Sequence, residues 1–485
     1  MPGIGASTLE LEDFATGAHT PPLGTDGRMR EIDVGTLLEE RRLGAFQLQI
    51  LFLGVLILFV DGLDFSASNV GAPAIARAFH VDRSAMGVVL SSGFFGILVG
   101  SFVFGYLGDR IGRRWGAILG VLAYSVPGLF SVFAQSLDQL AVLRFLTGLG
   151  MGGVVPNVIA FLTETAPKPY RVTFVMLGYV GYSLGNAAIA QVAAWFIPDY
   201  GWSVVFEVAG AVGIVLSFAL LIWLPESIPY LAAKRSDDPR LPLLVVRLAP
   251  EVDGNARFVL RQPANETRFS LKLLFDGYRR IATPLLWLGF FAESLTYMTL
   301  AAWLSVLLEQ AGLAPTEASF VFSYAYIGAM VAIVILARLI DRFGPRAALV
   351  SAAVAGAALV YLGTPGLGAG AVTAIAIIAL AFSSATHQSL NGIVGGFYPT
   401  VVRGNGVGYA SGMGRAAAII GPLIAGSLLA AKLSLQTVLA AIAAPYLVVA
   451  AVCVALDRLQ RRMILGPETT SADVVASRAP VRSTP

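Results

Sequence analysis

The stretch Gly105-Tyr-Leu-Gly-Asp109-Arg110-Ile-Gly112-Arg113-Arg114 lies between two long apolar runs. A weaker copy of it occupies residues 337–346, where Asp341-Arg342 stands 232 positions after Asp109-Arg110. The short polar, charged and glycine-rich stretch contrasts with the apolar runs on both sides of it. It therefore predicts a loop between two long helices, and the copy predicts a second loop of the same kind.

A second pair of loops repeats at the same distance. Pro167 and Arg171 recur 232 positions later as Pro399 and Arg403. Two separate loops that share one offset indicate a parallel duplication of the chain. Duplicated halves of this kind place a substrate site at their interface, near the middle of the membrane.

The composition places the chain in a membrane. Of its 485 residues, 56% are hydrophobic and only 13% are charged, about half the charged share of an ordinary soluble domain. The mean hydropathy is +0.75, which favours a polytopic membrane protein. A single cysteine, Cys453, excludes a disulfide scaffold, and a net charge of +3 gives no basic footprint for nucleic acid.

Spanning helices need about 20 mostly apolar residues, and twelve windows meet that requirement. They are 47–70, 84–106, 115–134, 138–162, 171–196, 202–224, 284–308, 317–340, 345–363, 370–395, 404–431 and 435–457. We number them spans 1 to 12. The fold predicted is an all-α membrane protein with twelve transmembrane helices in two six-helix bundles.

The predicted domains follow from these windows. They are an N-terminal tail at 1–46, a first bundle at 47–225, a central loop at 226–283, a second bundle at 284–457 and a C-terminal tail at 458–485. The tail at 1–46 has no apolar core and is not a signal peptide.

The distribution of Lys and Arg predicts the orientation, because these residues concentrate on the cytoplasmic side. With both termini inside, all but five of the 33 Lys and Arg are cytoplasmic. Arg77, Arg83 and Lys432 then lie outside, and Arg144 and Arg415 lie within spans. We therefore expect the tails and the central loop to be cytoplasmic.

The stretch at 105–114 resembles the loop between spans 2 and 3 of the major facilitator superfamily at every defining position. Span 4 adds Arg144-Phe-Leu-Thr-Gly148-Leu-Gly150-Met-Gly152-Gly153, followed by Glu164-Thr-Ala-Pro167. The resemblance covers about 47–456. It implies twelve helices that work by alternating access, with spans 3, 6, 9 and 12 on the outside of the bundles.

A narrower resemblance begins in span 1. Asp61-Gly62-Leu63-Asp64 is similar to the signature of the aromatic acid:proton symporters, the hydroxybenzoate and benzoate carriers. Span 4 and the segment from Tyr398 to Arg415 are similar to that family too. The resemblance implies uptake of small carboxylates with protons. Glu293 has no counterpart that we can match there, and Arg346 stands where some members have His.

Charged groups inside a membrane usually face a partner or a wet cavity, because burying them costs at least about 2.5–3.5 kcal/mol. Asp61 and Asp64 share a helix face and resist double ionisation, which suits a proton carrier. The alternative is one ion-paired Asp and one Asp at the membrane surface. Arg144 lies at the depth of Asp64, so we expect an ion pair between them or snorkelling of Arg144 to the membrane surface. Arg144 is also a candidate for binding substrate.

Arg415 is the predicted ligand of the substrate carboxylate. It lies about eleven residues into span 11, roughly 16 Å deep, and its planar guanidinium suits a carboxylate. Glu293 lies at a similar depth in span 7. We expect it either to neutralise Arg415 in the empty carrier and release it to the substrate by taking a proton, which makes it a proton-coupling residue, or to form a permanent pair with Arg415. His387 in span 10 is either a proton relay or a packing residue.

A gate is predicted at the cytoplasmic ends of the spans. Glu164 could pair with Arg113, and Asp341 with Arg171 in the mirror position; the alternative is solvated loop charges worth under about 1 kcal/mol. The resemblance implies that Asp109 lies near the start of span 11. The predicted gate residues are Gly105, Asp109, Gly112, Arg113, Glu164, Arg171, Asp341 and Arg403.

Aromatic side chains would form the walls of the site, with Tyr297 and Tyr324 as the predicted contacts of the substrate. No strand and no Lys-Ser/Thr pair accompanies the glycine runs, so no nucleotide site is expected and transport must use ion gradients. We therefore predict a proton-coupled importer of a small organic acid, with an aromatic carboxylate as the expected substrate. It would act as a monomer in a bacterial inner membrane, with protons as the coupling ion and neither a metal nor another cofactor.

Three alternatives remain. An exporter of drugs or metabolites with the same fold commonly has a Gly-Pro pair in span 5, and the chain has Gly421-Pro422 in span 11 instead. A sugar carrier fits Pro225-Glu226-Ser227 but lacks a Gln-Gln pair in span 7. A membrane receptor or enzyme would need a sensory domain or a catalytic constellation, and the sequence contains neither.

Overall fold

The computed structural model of the protein describes residues 31–252, 256–260, 271–398 and 400–465. Its helices are α1 (Val34–Glu40), α2 (Ala45–Ala78), α3 (Met86–Ile111), α4 (Arg113–Phe130), α5 (Leu137–Thr165), α6 (Arg171–Tyr200), α7 (Val204–Trp223), α8 (Ile228–Lys234), α9 (Arg240–Leu248), α10 (Arg279–Gln310), α11 (Pro315–Phe343), α12 (Arg346–Leu362), α13 (Ala369–Gly396), α14 (Thr400–Ala430), α15 (Leu435–Ala443) and α16 (Pro445–Leu465). The predicted tails before residue 31 and after residue 465 lie outside the described residues.

Each of the twelve predicted windows coincides with helix in this structure. Eleven segments of the described chain are long and apolar enough to cross a membrane. The helix at predicted span 9 is α12, which has only 17 residues and is shorter than these. Span 12 is interrupted at Pro445, because proline has no backbone N–H to continue the helix, and α15 and α16 result.

Besides the helices, the described chain contains one short pair of strands. Strand β1 (Glu31–Asp33) pairs in parallel with β2 (Arg257–Val259), with Glu31 opposite Arg257. Arg41 and Glu251 form an ion pair beside this sheet. The segment before the first long helix is therefore attached to the central loop through backbone pairing, which the hydropathy of the two segments did not indicate.

The packing of the helices reproduces the duplication. In the first bundle α2 packs along α6, α3 along α5, and α4 against α5 and α7. In the second bundle the equivalent pairs are α10 with α14, α11 with α13, and α12 with α13 and α15. A displacement of 232 residues takes each helix of the first set to its counterpart in the second.

Three helix pairs provide most of the contact between the two bundles in the described chain. The helix α2 contacts α10, α3 contacts α14, and α6 contacts α11. The displacement of 232 residues relates α3 to α11 and α6 to α14. It therefore exchanges the last two pairs, and the interface has approximate twofold symmetry. The helices α4, α7, α12, α15 and α16 contribute to none of the three pairs, which matches the outer position expected for spans 3, 6, 9 and 12.

Candidate functional site

A cavity of about 210 Å³ lies between the bundles. It is bounded by α2, α3, α5 and α6 of the first bundle and by α10, α13 and α14 of the second. Its polar side chains include Asp61, Tyr179, Tyr182, Tyr297, His387 and Arg415. The duplicated halves therefore enclose a cavity at the interface where a substrate site is expected.

Arg415 reaches this cavity from α14. The preceding residue, Gly414, packs so closely on α10 that an added Cβ would lie 2.6 Å from the Ser294 Oγ. One further residue turns the helix by about 100°, which directs Arg415 away from that contact and into the cavity. Among the described residues the Arg415 guanidinium has no hydrogen bond or ion pair, and it interacts electrostatically with Tyr179.

The expected pairing of Glu293 with Arg415 is wrong. The Glu293 carboxylate instead accepts from His387, with 2.5 Å between Oε2 and Nδ1. Glu293 is 0% exposed and lies behind His387, which lines the cavity. Depth along the helices predicted that Glu293 pairs with Arg415, but the face of the helix determines the partner. Arg415 faces the cavity, whereas Glu293 faces α13.

Asp61 and Asp64 belong to two different environments, although three residues separate them. Asp61 is 2% exposed, lines the main cavity and has a buried Oδ1 without a hydrogen-bond partner among the described residues. Asp64 lies instead in a small separate cavity of about 40 Å³ with Arg144. Three residues turn a helix by about 300°, so the two carboxylates leave α2 about 60° apart, and this difference separates them into two cavities.

Arg144 forms the expected ion pair with Asp64, at 3.6 Å between Nη1 and Oδ1. Its Nη2 donates to the Ser131 Oγ at 2.8 Å, and its guanidinium stacks over the Phe206 ring at 4.6 Å. The structure therefore surrounds Arg144 with partners inside the first bundle. It does not bring Arg144 to the main cavity, where it was expected as a substrate ligand.

Aromatic rings form part of the cavity wall. Phe65 lies with its ring centroid 5.8 Å from Phe94 and 5.7 Å from Tyr182. On the other side, Tyr297 stacks on His387 at 4.8 Å. Tyr324 is 50% exposed on the outside of α11, so the structure does not bring it to the cavity. The polar residue Ser411 also lines the cavity and was not predicted. It lies four residues before Arg415 on α14, and this spacing is the signal in the sequence that could have identified it.

The structure describes some of the predicted gate residues. Arg113 Nε donates to Glu164 Oε1 at 3.2 Å, as expected, and the Ser227 hydroxyl donates to Glu164 Oε2 at 2.5 Å. Gly112 has φ of +109°, and an added Cβ there would lie 2.3 Å from a Glu226 carboxylate oxygen. These contacts attach the loop after α3 to the chain that follows α7.

The structure describes only the Arg171 side of the predicted mirror pair. Arg171 binds Glu39 of α1, with 3.1 Å between Nη2 and Oε1. This pairing was not predicted, because nothing in the sequence brought the N-terminal segment to the start of α6. The side chains of Asp109, Asp341 and Arg403, and Gly105, lie outside the described residues.

The bundles are joined at the end of the molecule where α2 and α10 terminate. Arg77 Nη1 and Arg83 Nη2 both bind Glu309 Oε2, at 2.9 and 2.8 Å. The Ser91 hydroxyl donates to the Ile419 carbonyl at 2.9 Å, between α3 and α14. We call this end the closed end. Sequence reasoning missed this contact, because its residues are more than 220 positions apart.

Comparison with known proteins places the chain in a family. The sequence model of the Major Facilitator Superfamily matches residues 54–313 and 286–480. The 4-hydroxybenzoate transporter PcaK of Pseudomonas putida is 30% identical over 86% of this chain and 94% of its own length. The gallate transporter of the same species is 31% identical, over 83% and 90%.

A solved structure supports the same fold. The inward-facing, unoccupied structure of a bacterial homologue of the human lysosomal transporter Spinster superposes with a TM-score of 0.64. It covers 88% of this chain and all of that one, at 15% identity. With two bundles related by duplication, a cavity between them and these matches over most of its length, the chain belongs to the Major Facilitator Superfamily and is a membrane transporter rather than an enzyme.

Proposed function

We propose that this protein imports a small aromatic carboxylate together with protons across a bacterial inner membrane. In this proposal it has twelve spans with both termini inside, acts as a monomer and needs no cofactor other than the coupling proton. The relatives that carry 4-hydroxybenzoate and gallate support the substrate class. The asymmetric distribution of Lys and Arg supports the orientation.

The observation that carries the proposal is the presence of one arginine and one aspartate in the same cavity. Arg415 enters it from the second bundle without an anionic partner among the described residues, and Asp61 enters it from the first. In the empty carrier the two opposite charges share one low-dielectric space. A substrate carboxylate that binds Arg415 adds a second anion, and protonation of Asp61 then keeps the cavity neutral.

The walls of the cavity suit an aromatic ring. Phe65, Phe94 and Tyr182 lie on the first bundle, and Tyr297 lies on the second. Edge and face contacts with such rings stabilise a planar ligand by about 0.5–1.5 kcal/mol for each good pair. An aliphatic acid of the same charge lacks these contacts, so we expect it to bind more weakly.

Uptake in proteoliposomes tests the proposal. With an acidic exterior, radiolabelled 4-hydroxybenzoate should accumulate inside, and a protonophore should abolish the accumulation. Asp61→Asn should stop accumulation against a gradient, because the amide cannot take a proton. Asp138→Asn should not, because Asp138 is exposed in the first turn of α5. Efflux of preloaded acid into the acidic compartment, with no uptake, would instead identify an exporter.

A further inference from the structure

Glu293 is an unusual group to find inside a membrane bundle. One of its oxygens binds His387, and the other, Oε1, is buried without a hydrogen-bond partner among the described residues. Its other close groups are neutral: Ser294 and Tyr297 on α10 and Tyr446 on α16. No Arg or Lys forms an ion pair with it in the described part of the chain. An ionised Glu293 is therefore balanced by a proton on His387, so the pair holds one proton when it is neutral overall.

Within the pair, His387 is the member that lines the cavity. Glu293 lies behind it with no exposed surface. The imidazole stacks on the Tyr297 ring, and both rings face the space where an aromatic substrate would lie. A bound ring that packs on this surface would separate His387 from water and keep a proton on it until the substrate leaves.

This pair is distinct from the acid at Asp61. Asp61 lies on α2 in the first bundle, whereas Glu293 and His387 lie on α10 and α13 in the second. The cavity wall therefore carries two separate titratable sites, one from each bundle. Asp61 takes up a proton when the substrate carboxylate binds Arg415 and becomes the second anion in the cavity. The Glu293–His387 pair responds to the covering of His387 by the substrate.

We propose that the Glu293–His387 pair is a second proton site, so that this transporter moves two protons with each carboxylate. The inference rests on the proposed function. One proton binds the Asp61 carboxylate and one binds the His387 imidazole, both from the side where substrate enters. Both leave on the other side with the substrate, and no covalent bond changes. For a monovalent acid, each cycle then carries one net positive charge.

The accumulation ratio at equilibrium measures the number of protons. In proteoliposomes whose membrane voltage is held at zero with potassium and valinomycin, one proton gives about tenfold accumulation per pH unit, and two give about a hundredfold. With 4-hydroxybenzoate as the probe, we expect about a hundredfold for the unmodified protein. An inside-negative voltage should raise this ratio further, because the cycle moves charge.

Glu293→Gln should lower the ratio to about tenfold per pH unit and remove the effect of voltage. His387→Gln removes the same site from the cavity side and should give the same result. The test therefore remains possible if Glu293→Gln does not fold. Glu207→Gln is the matched control, since Glu207 is exposed in the first turn of α7. It should keep the hundredfold ratio.

The outcomes separate this inference from the proposed function. A tenfold ratio in the unmodified protein, or a hundredfold ratio retained in both variants, overturns the second proton site while the proton-coupled importer stands. No accumulation of any aromatic acid by the unmodified protein overturns the proposed function itself. A hundredfold ratio that falls to tenfold only in the two variants of the pair supports both.

Discussion

Two arginines within the spans illustrate how the surroundings of a residue decide its role. Arg144 and Arg415 are both charges within predicted spans, and the sequence offered both as ligands for a carboxylate. Arg144 is balanced by Asp64 and held by Ser131 and Phe206. Arg415 has no such set of partners among the described residues and faces the cavity. Only Arg415 is placed to exchange an anion during transport.

We expect Arg415→Lys to weaken binding of 4-hydroxybenzoate by roughly tenfold or more, about 1.4 kcal/mol. Lysine keeps the charge but loses the planar fork that holds a carboxylate through two hydrogen bonds. Calorimetric titration of the purified protein measures this change. Arg346→Lys is the matched control, because Arg346 is exposed at the start of α12, and an unchanged Kd for Arg415→Lys would contradict the assignment.

At the scale of elements, glycines set how closely the helices of the first bundle approach. A Cβ on Gly62 of α2 would lie 2.2 Å from the Tyr182 carbonyl oxygen of α6, and one on Gly185 would lie 1.9 Å from the Phe59 carbonyl oxygen. Between α3 and α5, a Cβ on Gly148 would lie 2.1 Å from the Gly93 carbonyl oxygen. Small residues permit this backbone contact between membrane helices. It holds the helix that bears Asp61 rigidly against α6.

Gly62→Ala should therefore destabilise the protein by about 1–3 kcal/mol, because the added methyl group meets backbone atoms that cannot rotate away. Thermal unfolding in detergent measures the loss. Gly370→Ala at the start of α13 is the control, since nothing lies within 4 Å of a Cβ built there. Equal melting temperatures for the two variants would show that α2 and α6 can separate at little cost.

At the scale of the whole molecule, the bundles are joined by a contact that alternating access must break. Glu309 has only 6% of its side chain exposed and accepts from both Arg77 and Arg83 of the other bundle. Its environment is intermediate between a surface ion pair and a buried one. Given the proposed orientation, the closed end faces outward.

Glu309→Gln should shift the population toward a state that is open at the closed end. The loss of two partly buried ion pairs should amount to roughly 1–2 kcal/mol, a five- to thirtyfold change in the ratio of states. Spin labels at Ala78→Cys and Gln310→Cys measure it as a growing population at longer distances. Cys453, the natural cysteine, is buried, so we expect the spin labels to attach at the two introduced cysteines.

Glu317→Gln is the control for that experiment. Glu317 lies near the same end but caps its own helix, where its side chain accepts from the Ala314 amide. It should leave the distance distribution as in the unmodified protein. A distribution that is also unchanged in Glu309→Gln would remove Glu309 from the gate.

The sequence by itself determined the membrane class, the helical windows and the duplication, because hydropathy and a repeated loop motif are local properties of the chain. It also selected Asp61 and Arg415, which the structure places in the cavity, and predicted the pairing of Asp64 with Arg144, since depth along a helix can be counted from its ends. Rotation about each helix axis and the choice among distant partners depend on how the bundles pack. Only the tertiary structure therefore directed Glu293 to His387, turned Tyr324 outward, paired Arg171 with Glu39 and joined Arg77 and Arg83 to Glu309.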